Sequence, residues 1–134
     1  MATFNKFNSF VEALAEKVHN LGSDTLTVAL TTSAPSATNT QLSNITQISY
    51  TNLSSRVLAG VTSAQTSGTY KLDADDLVLT ASGTVADFRY VVLYNDTATN
   101  DELIGWYDYG STVSLLNGET FTITWDAAGI LTLA

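Results

Sequence analysis

The chain has 134 residues, with 13 acidic and five basic side chains and a formal net charge of −8. Its length is that of one domain, and its 45% hydrophobic and 13% charged residues exclude intrinsic disorder. The five bases, Lys6, Lys17, Arg56, Lys71 and Arg89, are scattered along the chain. Because so acidic a chain repels phosphate, the sequence predicts no nucleic-acid partner.

The absence of cysteine excludes disulfides, thiolate metal sites and cysteine nucleophiles. Residues 3–19 lack the basic run and the uninterrupted apolar core of a signal peptide, and no later stretch approaches about 18 apolar residues. We therefore expect no membrane partner and synthesis in the cytosol.

The first predicted element is an amphipathic helix over residues 4–21, with Thr3 as N-cap and Gly22 as a left-handed cap after its end. Phe10 widens the apolar stripe, which favours contact with a sheet or a second subunit. The pattern divides the chain into a helical arm, residues 1–22, and a β domain, residues 23–134. The stripe has apolar residues three or four apart: Phe4, Phe7, Val11, Leu14, Val18 and Leu21.

After Gly22 the hydrophobic period changes to two, and residues 25–31 predict a strand with one buried face. Residues 32–40 contain the only proline and predict a loop, and residues 42–48 predict a short helical turn. Further strands are predicted at residues 56–62, 69–72, 77–80, 88–94, 103–109, 113–116, 121–125 and 130–133.

Turn signals separate these strands at intervals of about 8–12 residues. They include Ser67-Gly68, Gly110-Ser111 and Asn117-Gly118, of which Asn117-Gly118 is the strongest hairpin signal. About eight strands in a domain of this size predict a mainly β fold. The expected architecture is a single antiparallel β-sandwich, jelly-roll-like, with an N-terminal amphipathic α-helix.

Candidate chemistry is sparse. His19 is the only histidine, and without a nucleophile motif we interpret it as a solvated residue at the helix end. Asp73, Asp75 and Asp76 resemble the start of a calcium loop, but the sixth and twelfth positions lack the required Gly and Glu. This segment therefore predicts a solvated acidic turn. The sequence predicts no catalytic residue, cofactor or metal, and hence no enzyme.

Two further segments have possible functional roles. Asx residues at 95–102 predict local turn bonds to backbone amides rather than a metal site. In the strand at 103–109, alternation places Trp106 and Asp108 on one face and Tyr107 and Tyr109 on the other, with core packing favoured. Trp125 alternates with threonine and is expected to fill the core.

Five segments resemble a family of small virion proteins of tailed bacteriophages. These segments are residues 4–12 (FNKFNSFVE), 19–30 (HNLGSDTLTVAL), 89–96 (RYVVLYND), 103–110 (LIGWYDYG) and 121–131 (FTITWDAAGIL). The resemblance spans most of the chain outside residues 35–86. It implies a cement or decoration protein with a jelly-roll-type fold on the exterior of the phage capsid, bound over junctions between subunits of the major capsid protein.

The expected partners are the major capsid protein and further copies of the chain, as a dimer or trimer. We expect the helix, with its broad apolar stripe, and the open edges of the sandwich to supply these contacts. A neck or tail component is the alternative among structural proteins. A carbohydrate-binding host-recognition module using Trp106, Tyr107, Asp108 and Tyr109 is the alternative in another class. The expected partner-binding residues are Phe4, Phe7, Phe10, Val11, Leu14 and Val18.

Overall fold

The computed structural model describes residues 2–134, which form three antiparallel sheets and one short α-helix. The sheets have the strand orders β1-β7-β6-β2, β3-β4-β9 and β5-β8. No helix in the described part of the chain is long and apolar enough to cross a membrane. The elements are β1 (Asn5–Lys6), α1 (Phe10–Ala15), β2 (Leu26–Thr31), a 3₁₀ helix (Leu42–Asn44), β3 (Thr62–Thr66), β4 (Thr69–Asp73), β5 (Leu77–Thr80), β6 (Phe88–Asn95), β7 (Leu103–Val113), β8 (Thr120–Ile123) and β9 (Leu131–Leu133).

The four-stranded sheet is buried on both faces along β2 and the second half of β6, whereas residues 108–112 of β7 are exposed. Every residue of β2 is buried, although the alternating pattern predicts only one buried face. One face joins a large core that also contains Leu72, Leu79 and Ile123 from the other two sheets. The opposite face packs in a second cluster with Phe7 and Ile45, because the N-terminal segment and the residues after the 3₁₀ helix cover it. The sequence pattern of β2 alone does not indicate that this second face is also buried.

The predicted helix over residues 4–21 is too long. Asn5 and Lys6 are extended instead and pair with Trp106 and Gly105 of β7. A Cβ on Gly105 would collide with the Phe4 ring, so the absence of a side chain lets that ring lie on the sheet. Contact with the sheet thus outweighs the helical period, and the helix spans only Phe10–Ala15.

Helix α1 ends at Ala15, with Glu16 as its C-cap, and the left-handed residue that follows is Lys17 rather than the predicted Gly22. Lys17 has a φ of 69°, and the N–H of Val18 donates to the carbonyl oxygen of Ala13 at 2.9 Å. A left-handed residue followed by this longer bond is the Schellman arrangement. Gly22 is not among the residues with positive φ.

Most predicted strands are present, with shifted bounds. The loop at residues 32–40 and the helical turn after it are confirmed. The strand predicted at 56–62 is wrong, because Val57 makes only an isolated bridge to Thr27 and the strand lies at Thr62–Thr66. The strand predicted at 113–116 is also wrong, since β7 continues through Gly110-Ser111 and ends at Val113.

Asn117-Gly118 forms a turn but not the predicted hairpin. Gly118 has a φ of 85°, Asn117 is not among the positive-φ residues, and the Glu119 N–H donates to the Leu116 oxygen at 3.0 Å. These features are those of a type II turn rather than type I′. The strand that follows, β8, pairs with β5 instead of β7.

Candidate interaction surface

A groove lies between the N-terminal segment and the end of the chain. It has a volume of about 830 Å³ and receives residues from α1, from the segment around β1 and from β9. We call it the N-terminal groove. Its lining includes Phe4, Lys6, Phe10, Val11, Leu14, Ala15, Tyr107, Asp126, Ile130, Leu131 and Leu133.

The short helix α1 determines how this groove is presented. Phe10 is 3% exposed and anchors the helix in the large core. One residue later on the helix, Val11 is 51% exposed, and Leu133 of β9 is 46% exposed. Both side chains line the groove, so it presents exposed apolar surface from α1 and from β9.

The six residues expected to bind a partner fall into distinct environments. Phe4, Phe10, Val11 and Leu14 line the groove, whereas Phe7 is fully buried in the second cluster. Val18 is 37% exposed and does not line the groove. Phe7 and Phe10 are thus part of this chain's own core, and Val11 and Val18 are the most accessible of the set.

A second, aromatic cleft of about 250 Å³ adjoins the groove and shares Ala2 and Tyr107 with it. The rings of Tyr107 and Trp125 are 6.0 Å apart, and those of Tyr109 and Phe121 are 5.2 Å apart. Burial raises the pKa of the Tyr107 hydroxyl, so this group stays protonated. The cleft is therefore uncharged and mostly apolar.

The predicted alternation along β7 is present, and both of its faces are occupied. Trp106 packs on Phe7, with ring centroids 4.7 Å apart. Asp108 accepts two hydrogen bonds from Arg89, at 2.9 and 3.0 Å, and these bonds hold the pKa of its carboxyl below the ordinary range. Trp106 and Asp108 thus already have partners within the chain, although Asp108 remains exposed, as does Tyr109 at 56%.

Trp125 fills the core as predicted, at 6% exposed, and its indole N–H donates to the Asp75 carbonyl oxygen at 3.0 Å. Phe121 lines the aromatic cleft, a role that the sequence analysis missed. Its position two and four residues before Ile123 and Trp125 places all three on one face of β8 and its extension. That alternation is the signal that could have revealed it.

The solvated position expected for His19 is wrong. The side chain is 5% exposed, its ring lies 5.3 Å from that of Phe10, and Asn95 contacts its Nδ1 atom. Helix α1 ends at Ala15, four residues before His19, and the contact with Asn95 places the imidazole against the end of β6 instead of at a solvated helix terminus.

The two acidic turns differ in their surroundings. Asp75 and Asp76 are exposed, and Asp73 pairs with Lys71 at 3.3 Å. In the second turn Asn95 accepts backbone hydrogen bonds as predicted, and burial together with Asp96 and Glu102 raises the pKa of Asp101. Within residues 2–134, no three His, Cys, Asp or Glu side chains are grouped to hold a metal ion.

The basic side chains are largely engaged inside the chain. Arg89 pairs with Asp108, and Lys71 pairs with Asp73. The guanidinium of Arg56 donates to the Val28 carbonyl oxygen at 2.6 Å and lies 3.5 Å from the centre of the Tyr50 ring. The charge offered to a partner is therefore mainly negative.

Comparison of the chain with protein-family models, curated proteins and solved structures gives no match.

Proposed function

We propose that this protein is a virion structural protein, a decoration protein that binds the outer surface of a tailed-phage head over junctions between major capsid subunits. In this proposal its antiparallel sheets form a jelly-roll-like sandwich, and it acts as a dimer or trimer. The five segments that resemble small phage virion proteins support the assignment. It functions by adhesion rather than by catalysis.

The observation that carries the proposal is the N-terminal groove. Four of the six residues expected to bind a partner line it, and Val11 and Leu133 present exposed apolar surface beside it. Burying exposed apolar surface is worth about 25 cal/mol per Å² removed from water. A capsid segment seated in the groove would therefore gain contact energy while the protein's own core stays intact.

Charge is consistent with a place on the outside of a head. With a net charge of −8 and three of its five bases engaged internally, the chain is repelled by packaged DNA. A basic or neutral outer capsid surface is the complementary partner. Repeated attachment by symmetry then adds many modest contacts, because each copy joins two subunits at once.

Binding to purified heads tests this proposal. We expect Val11→Asp and Leu133→Asp to weaken co-sedimentation with heads at least tenfold while leaving the melting temperature within a few degrees. Val78→Asp is the matched control, since Val78 is 49% exposed and lies outside the groove. If both groove variants bind heads as the wild type does, the groove is not the capsid contact.

Electron microscopy of the phage particle tests where in the virion the protein lies. Hundreds of copies on the head surface would agree with a decoration protein. Six, twelve or a few dozen copies at the neck or tail would instead support the alternative structural role, and absence from the particle would reject both.

A glycan array tests the carbohydrate-binding alternative. Sugar binding by the wild type that is lost in Tyr109→Ala would identify the aromatic cleft as a sugar-binding site.

A further inference from the structure

The single histidine of the chain lies in a buried network that joins the segment after α1 to the end of β6. Asn95 is fully buried and orients this network. Its Oδ1 accepts from the backbone N–H groups of Thr97 and Ala98, at 3.0 and 3.1 Å. Its Nδ2 lies 2.7 Å from Asp24 Oδ2 and 3.0 Å from His19 Nδ1. One amide side chain thus connects residues 19–24 to residues 95–98.

These four contacts fix the orientation of the amide. A rotation by 180° would place the NH₂ group of Asn95 against two backbone donors and its oxygen against the Asp24 carboxylate. The two Nδ2 hydrogens therefore point at Asp24 and at His19 Nδ1, which makes Nδ1 an acceptor. The neutral imidazole must then carry its proton on Nε2. This Nε2 atom is buried and has no hydrogen-bond partner among residues 2–134.

The charged groups that face the imidazole come from two places. Asp24 belongs to its own segment, and Glu102 follows the loop after β6. Helix α1 contributes only the uncharged Phe10 ring, and β6 contributes the Asn95 amide. Both carboxylates favour the imidazolium, but burial opposes it more strongly, so the pKa of His19 lies below its ordinary value of 6.5.

A second proton cannot be accommodated in this arrangement. Placed on Nδ1, it would face an Nδ2 hydrogen of Asn95 across 3.0 Å, with no acceptor between the two donors. Asn95 cannot turn to accept it without leaving the Thr97 and Ala98 N–H groups unpaired. The imidazole ring must therefore move when it is protonated.

We propose that His19 is a proton-controlled latch: the neutral ring holds residues 16–24 against residues 95–98, and protonation releases that segment. Helix α1 directly precedes the segment and contributes four residues to the N-terminal groove, so release also loosens one part of the groove. The latch is a property of the isolated chain and does not depend on the function proposed above.

Because the chain has one histidine, NMR of the imidazole nitrogens reports on it without overlap. We expect the Nε2–H tautomer at pH 7.5 and a His19 pKa below that of the urea-denatured chain. Protection of the Asn20 and Asp24 amides, corrected for intrinsic exchange, is expected to fall up to tenfold per pH unit between pH 6.5 and the folded pKa. An Nδ1–H tautomer, or a pKa equal to or above that of the denatured chain, would overturn the proposal.

His19→Gln removes the titration and retains an acceptor for Asn95. In this variant the protection of Asn20 and Asp24 is expected to stay constant between pH 7 and 5, whereas Glu16→Gln, an exposed change in the same segment, is expected to behave as the wild type. The Val28 amide of β2, which donates to the carbonyl oxygen of Arg56 at 3.0 Å, distinguishes local release from global unfolding. A pH dependence in His19→Gln equal to that of the wild type would reject the latch. If His19→Gln does not fold, the tautomer and the pKa of His19 measured in the wild type still decide whether the latch exists.

Discussion

The Phe4 ring lies directly over Gly105, in the space that a side chain at position 105 would occupy. Gly105 is also the residue that pairs with Lys6, so the contact and the two-residue strand β1 form at the same place. From there Phe4 reaches Tyr107, with ring centroids 5.7 Å apart. One glycine in β7 thus determines where the N-terminal segment joins the sheet.

Gly105→Ala is expected to displace Phe4 and weaken the pairing of β1 with β7. Forcing an extra carbon into a packed position typically costs about 1–3 kcal/mol, so the free energy of unfolding measured in urea should fall by that amount. Gly22→Ala is the control, because Gly22 is exposed and an added Cβ would meet only ordinary contacts at 3.5 Å or more. Equal stability of the two variants would show that the ring does not depend on the glycine.

This contact also explains why the N-terminal prediction failed. Phe4, Phe7 and Phe10 recur every three residues, and a single sequence does not reveal that Gly105, a hundred residues later, accepts the first ring. The helix is correct at Phe10–Ala15, where Phe10 packs in the large core and the backbone pairs with no strand. Four of the predicted partner-binding residues still line the groove. Apolar side chains at the edge of the core also form the wall of the groove.

Strands were predictable where alternation and burial coincide, as in Leu77–Thr80, and where β-branched and aromatic residues form a continuous run, as in Phe88–Asn95. The strand at Thr62–Thr66 was not predicted, because it lies at the edge of its sheet and contains no large apolar residue that would indicate a buried face. The burial of His19 was unpredictable for a different reason. The burial of His19 depends on Asn95, which lies 76 positions later in the sequence, and the residue spacing around His19 does not indicate that contact.

Phe7→Ala is expected to lower the free energy of unfolding by about 3–5 kcal/mol, because it empties a fully buried position in the second cluster. Val18→Ala serves as the comparison, since Val18 is 37% exposed and should cost about 1 kcal/mol or less. Urea unfolding of both variants measures the difference. A small effect of Phe7→Ala would mean that the second cluster contributes little to stability.

The stability of the wild type is expected to decrease as the pH falls below about 6.5. His19 has a lowered pKa in the folded chain, so the unfolded chain binds more protons in the interval between the two pKa values. Each unit of separation is worth about 1.4 kcal/mol. Asp101 acts in the opposite direction at lower pH, because its raised pKa lets the folded chain take up a proton first.

Urea unfolding between pH 7 and 5 measures this dependence, and His19→Gln should flatten it. Stability that rises on acidification across this interval in the wild type would contradict a buried neutral imidazole. A decline of equal size in wild type and His19→Gln would assign the effect to other groups.

The end of α1 gives an opportunity to stabilise the protein. Lys17 adopts a φ of 69°, a conformation that a side chain disfavours and glycine adopts freely. Lys17→Gly is therefore expected to raise the free energy of unfolding by up to about 1 kcal/mol, since relief of the left-handed strain outweighs the greater freedom of glycine in the unfolded chain. Ala15→Gly, inside the last turn, should instead lower it by about 1 kcal/mol. The two substitutions introduce the same residue two positions apart, so opposite shifts in the urea midpoint would establish that backbone conformation, and not the loss of a side chain, determines the sign.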